Sequence, residues 1–205
     1  MFTGIVQGIG TVVAVDHRPG LTQFVIELPP TPEPPQRGAS IALAGTCMTV
    51  VSANGHHATF DAMAETLTKT TLGTWSVGTR LNVERSARYG DEIGGHILSG
   101  HVSTTATIVT IERPANNYIV RFELPAQYMK YVLPKGYIAL DGASLTIVEA
   151  DRDTNSCTVH LIPETLRITT FSEREVGSIV NVEIDTMTQT IVDTTERVLS
   201  THTRT

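Results

Sequence analysis

Cysteine is scarce in this chain: the two that occur, Cys47 and Cys157, lie far apart and form no CxxC pair. A disulfide framework and a cysteine-based zinc site are thereby excluded. No basic, apolar leader follows Met1, so a reducing cytoplasm is the expected compartment. Aromatic residues make up only 5%, and positive charge is in deficit, with 15 Lys and Arg against 21 Asp and Glu. An oligonucleotide-binding barrel needs a basic face with stacking aromatics, so no nucleic-acid partner is expected. No apolar run approaches the roughly 20 residues that span a bilayer, and no membrane association is expected either. GxGxxG, P-loop, GxSxG and HExxH patterns are all missing, and Gly4, Gly8 and Gly10 have the wrong spacing for the first. Nucleotide and metal chemistry are therefore not signalled, and no metal site is expected.

What the chain does contain is itself, twice. Ile41-Ala42-Leu43-Ala44-Gly45-Thr46-Cys47-Met48-Thr49-Val50-Val51 returns as Ile138-Ala139-Leu140-Asp141-Gly142-Ala143-Ser144-Leu145-Thr146-Ile147-Val148. Glu65-Thr66-Leu67 returns as Glu164-Thr165-Leu166, Asn82-Val83-Glu84 as Asn181-Val182-Glu183, and Ile26-Glu27-Leu28-Pro29 loosely as Phe122-Glu123-Leu124-Pro125. The order is kept and the offset grows slowly, as loops that gain single residues would produce. So long a period means a duplicated domain rather than a solenoid. The expected division is a first domain over 1–87, a linker over 88–96, a second domain over 97–185, and a C-terminal helix and tail over 186–205.

Within each half, runs such as Gln23 to Leu28, Thr79 to Glu84 and Thr158 to Leu161 alternate apolar and polar residues at strand length. Turn signals at Ala53-Asn54-Gly55, Ser76-Val77-Gly78 and Asp151 to Asn155 punctuate about six strands per half, with no βαβ alternation. The fold class is all-β: two tandem six-stranded antiparallel barrels from an internal duplication, plus one helix. Short helical turns are expected after Pro163 and over Ala126 to Val132; the prolines between Pro29 and Pro35 forbid one in the first half. From about Thr186 to Ser200 the period becomes helical, with Met187, Ile191, Val192, Val198 and Leu199 assigned to one face. This unrepeated helix is either a strap across its own chain or a seam to another chain, and the seven-residue spacing favours the seam.

The differences between the halves carry the candidate chemistry. Cys47 is matched by Ser144 and Thr49 by Thr146, and strand alternation puts each pair on one face. A thiol beside a hydroxyl, and a hydroxyl pair in the twin, suit hydrogen bonding to a polar heterocycle and proton-transfer or nucleophilic work; on spacing alone, a small buried cysteine is the commoner reading. His101 stands where the first half has Ile5, which makes it a proton-transfer candidate beside the alternative of a structural histidine. His96 and His101 are an odd number apart and point to opposite faces of a strand, which argues against a shared metal. Glu65 and Glu164 each open a short helix, where serving the helix terminus is the readier role than acting as paired acids. These readings together describe a duplicated barrel that binds a small polar ligand twice.

The opening Met-Phe-Thr-Gly-Ile-Val, the run Gly90-Asp91-Glu92-Ile93-Gly94-Gly95-His96 with Ser99-Gly100-His101-Val102, and the twin Gly-x-[Cys/Ser]-[Met/Leu]-Thr and Glu-Thr-Leu elements resemble the riboflavin synthase family, over residues 1 to about 200. The resemblance implies Greek-key barrels, a homotrimer joined through the C-terminal helix, and a cofactor-free dismutation. In that reaction two molecules of 6,7-dimethyl-8-ribityllumazine give riboflavin and 5-amino-6-(ribitylamino)uracil by four-carbon transfer. It also implies one lumazine per barrel, with the active site where the first barrel of one subunit faces the second barrel of another. On this analogy His101, Cys47, Ser40 and Thr146 serve proton transfer or transient nucleophilic assistance, with Ser144 and Asp185 in support. The substrate-binding positions carried over are Gly4-Ile5-Val6, Cys47-Met48-Thr49 and Asp61-Ala62-Met63-Ala64-Glu65-Thr66 for the first barrel. For the second they are Gly100-His101-Val102, Lys135, Ser144-Leu145-Thr146 and Ile162-Pro163-Glu164-Thr165-Leu166-Arg167. Phe2 is expected to close a barrel or an interface. Ala44 departs from the Asn common in the family and is expected to alter ligand affinity in the first barrel. The competing expectation is a non-catalytic relative resembling the lumazine and flavin antenna proteins of luminous bacteria; His101, Cys47, both Glu-Thr-Leu elements and the helix weigh against it.

Overall fold

In the computed structural model, which describes residues 1–115 and 117–202, the period-2 pattern becomes strands as expected. Strand β2 (Leu21–Glu27) buries Thr22, Phe24 and Ile26 and turns the residues between them outward. The first half closes into a barrel in the order β1-β2-β5-β4-β3-β6, with β1 Gly8–Arg18, β3 Ser40–Leu43, β4 Thr46–Asn54, β5 His57–Met63 and β6 Arg80–Arg85. The second half repeats it with β7 (Thr104–Glu112), β8 (Ile119–Glu123), β9 (Tyr137–Leu140), β10 (Ala143–Asp151), β11 (Ser156–His160) and β12 (Ile179–Ile184), in the order β10-β11-β8-β7-β12-β9. Strands β3, β4 and β5 are consecutive neighbours and β2 returns beside β5, which is a Greek key.

Bulges fall at matching places, between Val12 and Ala14 on β1 and Ile108 and Thr110 on β7, and between Val50 and Ser52 on β4 and Ile147 and Glu149 on β10. They bend the strands as closure of so small a barrel requires. Each barrel has its own core, around Phe24, Phe60 and Ile41 in the first and Phe122, Ile138 and Phe171 in the second. A buried Phe contributes about 1.5–3 kcal/mol over an exposed one.

Short helices α1 (Ala64–Lys69) and α2 (Pro163–Ile168) follow β5 and β11, and each leads into a 3-10 turn. The expected turn over 126–132 is a 3-10 helix, Ala126–Tyr131. The C-terminal helix α3 (Thr186–His202) has no counterpart. Its expected single apolar face is divided: Val192 packs on the second core, whereas Met187 and Ile191 are 72% and 60% exposed. Asp193 accepts from the Tyr131 hydroxyl and pairs with Lys130, which also reaches Glu196, so one side of α3 straps its own barrel. Among the described residues no helix is long and apolar enough to cross a membrane.

The two barrels are stapled by the repeated Asn-Val-Glu element. Asn82 donates from Nδ2 to the Asp141 carbonyl and accepts from the Thr170 amide; Asn181 donates to the Ala44 carbonyl and accepts from the Thr71 amide. Between them the β3–β4 and β9–β10 hairpins meet at their tips. Ala44 and Gly45 have φ of 45° and 79°, Asp141 and Gly142 have 44° and 80°, the left-handed pair of a two-residue hairpin. A Cβ on Gly45 would lie 2.7 Å from the Gly142 nitrogen, and one on Gly142 2.8 Å from the Gly45 nitrogen, so both must be glycine. Ala44 is thus a seam residue that carries a conformational cost, since Ala enters this region less readily than Asn.

Candidate active site

The β4 strand buries Thr46, Met48 and Val50 and turns Cys47 and Thr49 outward; β10 likewise buries Leu145 and turns out Ser144 and Thr146. Of the expected pocket side chains, Met48, Leu145 and Ala62 therefore point into barrel cores and offer the site only backbone. Ser40 is paired across from Thr49, and Ala42 across from Cys47, placing Ser40 on the same wall.

Over each wall lies a segment from the other half of the molecule. The Cys47 amide donates to the Gly100 carbonyl at 2.8 Å, and the Ser144 amide to the Gly4 carbonyl at 2.8 Å. A Cβ on Gly100 would lie 2.5 Å from the Cys47 Cβ, and one on Gly4 2.5 Å from the Ser144 Cβ. Both glycines have positive φ, so the crossing depends on them. The grouping expected from the repeat is corrected here: Gly4-Ile5-Val6 belongs with the second barrel, whose core includes Val6, and Gly100-His101 belongs with the first. The crossing point is a two-way pair, Phe2 N–H to Leu98 O and Leu98 N–H to Phe2 O, with Phe2 buried among Leu98, Ala42 and Ala139 as an interface plug.

Two buried glutamates fix these segments. Glu84 accepts from the Thr3 amide, the Thr3 hydroxyl and the Gly4 amide at 2.6, 2.8 and 3.0 Å. Glu183 accepts from the Ser99 amide and hydroxyl and the Gly100 amide at 2.7, 2.7 and 3.0 Å. Burial pushes the Glu84 carboxyl above its usual range, against the pull of the Thr3 and Gly4 donors. Sequence reasoning missed both residues as site supports, although their repetition in Asn-Val-Glu was the available signal.

The remaining candidates fall into place around the two walls. His101 and Ile5, the exchanged pair, are both exposed, one beside Cys47's partner Gly100 and the other beside Ser144's partner Gly4. Asp61 is exposed on β5 and held by Gln23; Met63 is exposed, and Ala64, Glu65 and Thr66 begin α1. Ile162 is exposed before Pro163, Glu164, Thr165, Leu166 and Arg167 of α2. Lys135 is exposed in a positive-φ turn, and Val102 is half-buried. Glu65 and Glu164 sit in the first turns of α1 and α2, as expected, but neither makes a capping hydrogen bond: the Glu65 side chain goes to Lys69 and that of Glu164 to Arg167. Asp185 does cap a helix, accepting from the Thr188 amide and hydroxyl at the start of α3. Burial, which would raise its carboxyl, is outweighed by those bonds and the Met187 amide, leaving it below its usual range. Cys157 is core, its thiol pushed up to about 12 by burial.

One more side chain reaches a wall. The His96 ring lies with Nδ1 2.6 Å from the Ser144 Oγ and stacks on Tyr137 at 5.0 Å and 16°. The six catalytic candidates thus separate into Cys47, Ser40 and His101 at the first barrel and Ser144, Thr146 and Asp185 at the second. Among the described residues no cluster suited to a metal ion is found.

Two barrels with twin polar walls define a tandem ligand-binding protein, and the lumazine binding domain family matches both halves, residues 3–86 and 99–185. Crystal structures of LumP share the fold: the riboflavin complex superposes with a TM-score of 0.79 at 27% identity, covering 90% of this chain and 100% of LumP. The complex with 6,7-dimethyl-8-(1'-D-ribityl) lumazine gives 0.78 at 25%, over 90% and 99%. Riboflavin synthase of Escherichia coli (strain K12) is 49% identical over 202 residues, 98% of this chain and 94% of that protein. That of Chlamydia pneumoniae is 42% identical over 201 residues, 98% of each. The chain belongs to the riboflavin synthase family, as its motifs led one to expect.

Proposed function

We propose that the chain catalyses the cofactor-free dismutation of two 6,7-dimethyl-8-ribityllumazine molecules to riboflavin and 5-amino-6-(ribitylamino)uracil, one molecule on each barrel wall. The reaction balances without oxidant or water, because one lumazine gives up the four-carbon unit that the other accepts. The observation that carries the reading is the pair of twin walls, each crossed by a segment from the other half, in a chain 49% identical to a riboflavin synthase along nearly its whole length. Donor and acceptor are the same compound, so two similar pockets are what the chemistry needs.

The electron-poor pteridine serves as its own electron sink. The protein has only to remove a proton from the 7-methyl group, assist addition at C7 of the partner molecule and hold both rings. On this reading the thiol of Cys47, the hydroxyls of Ser40 and Thr49 and the imidazole of His101, next to Gly100, serve one ligand, and Ser144 and Thr146 with Ile5, next to Gly4, serve the other. Acid–base equipment is thus concentrated in the first-barrel pocket, and the second is chiefly a hydrogen-bonding cradle.

The two pockets have to be brought face to face between chains, and a homotrimer formed through α3 supplies the contact. A groove of about 780 Å3 supports this reading, lined by Met1, Ile97, Tyr137, Met187 and Ile191 among others, largely apolar side chains of which these five are exposed. The test is incubation of the purified protein with the lumazine alone. One riboflavin formed per two lumazines consumed is expected. A spectral shift without product would instead make the chain an antenna-type binder.

A further inference from the structure

His96 lies on the segment that leads from the first barrel into the second. It is 8% exposed, and its Nε2 is buried without a hydrogen-bond partner. Its approach to Ser144 is built in. The preceding Gly95 passes so close that a Cβ there would lie 2.3 Å from the Thr3 carbonyl, 2.8 Å from the Ser144 Cβ and 3.0 Å from the Ser144 Oγ. The His96 amide then donates to the same Thr3 carbonyl, and Tyr137 closes the other face of the ring. Burial holds the imidazole below its ordinary range against the opposing charge of Asp185, so it is neutral at neutral pH.

A neutral imidazole must choose where its proton sits. A proton on Nε2 would leave a buried N–H with no acceptor, whereas a proton on Nδ1 is donated to the Ser144 Oγ and leaves only a bare lone pair behind. An orphaned buried donor is the rarer defect of the two. With Nδ1–H donating, the Oγ accepts on one lone pair and does not spend its own proton on the imidazole, so that proton turns outward, toward whatever lies on the β10 wall.

We propose that His96 is a positioning residue that keeps the Ser144 hydroxyl proton free for donation to the heterocycle on the second barrel, a duty Cys47 does not have in the first. This rests on the proposed dismutation. A donor sharpened by a second hydrogen bond favours a ring that is gaining negative charge, which is the state reached when a lumazine loses its methyl proton or accepts a nucleophile.

The test compares His96→Asn, whose carboxamide can occupy the Nδ1 position, with His96→Gln, whose carboxamide reaches the Nε2 position instead. Turnover of 6,7-dimethyl-8-ribityllumazine is measured alongside thermal unfolding, each with and without Ser144→Ala. The expected result is turnover within about threefold of wild type for His96→Asn and a loss of about tenfold for His96→Gln, the worth of one hydrogen bond to a reacting group. With Ser144→Ala present the two should be indistinguishable. Equal rates for the two variants, a difference that survives Ser144→Ala, or loss of the folded state in His96→Gln would each overturn the proposal. Wild-type protein that makes no riboflavin would refute the dismutation itself, a separate outcome.

Discussion

The two barrels share strand order, bulges and hairpins, and they differ where the chain has specialised. At the seam the second barrel has Asp141, 0% exposed, bonded to the Asn181 amide and to Arg174; the first has Ala44, and near the corresponding place Trp75 packs on Phe24. At the walls the first has Cys47 and His101 and the second has Ser144 and Ile5. One copy has a buried charge pair at its hairpin tip and hydroxyls on its wall; the other has Ala44 at its tip, the Cys47 thiol on its wall and His101 next to the crossing Gly100. The crossed segments give each wall residues from both halves.

The comparison can be broken most severely at the first wall. His101→Ala is expected to lower turnover by about 100-fold or more, the usual worth of a positioned acid or base, while Ile5→Ala on the twin wall costs far less. Cys47→Ser should fall between them. His101 is exposed, and Cys47 is a partly buried residue at the edge of the Phe2 cluster whose change to Ser keeps its size, so unfolding midpoints should stay near wild type; equal losses from His101→Ala and Ile5→Ala would remove the functional asymmetry.

At the seam, Arg174→Met leaves Asp141 buried without its cation and is expected to destabilise by about 3–5 kcal/mol in denaturant unfolding. Burial raises the Asp141 carboxyl, with Arg174 opposing. Losing the arginine raises it further, so the folded variant holds a proton that the unfolded chain releases. Its stability deficit should shrink toward acid pH and grow as pH rises through the ordinary carboxylate range.

A milder break separates the supports. Glu84→Gln loosens the segment over the Ser144 wall and Glu183→Gln the segment over the Cys47 wall, each at about 1–3 kcal/mol. Glu84 is itself raised by burial, so its contribution is largest at acid pH and declines as pH rises from the unfolded to the folded pKa. The two variants should weaken ligand binding at different pockets; identical binding defects would contradict the crossing. The smallest effect is expected of Ala44→Asn, which suits the left-handed turn and should raise stability by about 0.5–1 kcal/mol without changing turnover.

The barrels were legible because the duplication shows itself in sequence and strand alternation holds along β2 and along β4 and β10 up to their bulges. That Cys47/Thr49 and Ser144/Thr146 each share a face followed from that alternation; that the face is the outward one came from the structure. The crossing was not legible, since aligning the repeats assigns Gly4 and Gly100 each to its own barrel and only three-dimensional contact reveals the exchange. Glu65 and Glu164 were placed correctly in first helical turns, but no capping hydrogen bond forms because Lys69 and Arg167 one turn on take their carboxylates. Ile191 and Val192 looked like one face because neighbours in a helix differ by only about 100°, enough here to send one to solvent and one to the core. His96 stood in plain sight in Gly94-Gly95-His96, but its meaning depends on Gly95 letting the backbone pass over Ser144.

The most direct test of the crossed pockets is a crystal structure with riboflavin or the lumazine bound. The account predicts one ligand against Ser144 and Thr146 touching Gly4 and Ile5, and another against Cys47 and Thr49 touching Gly100 and His101. A ligand on the Cys47 wall that touches Gly4 and Ile5 of the same chain instead would contradict it.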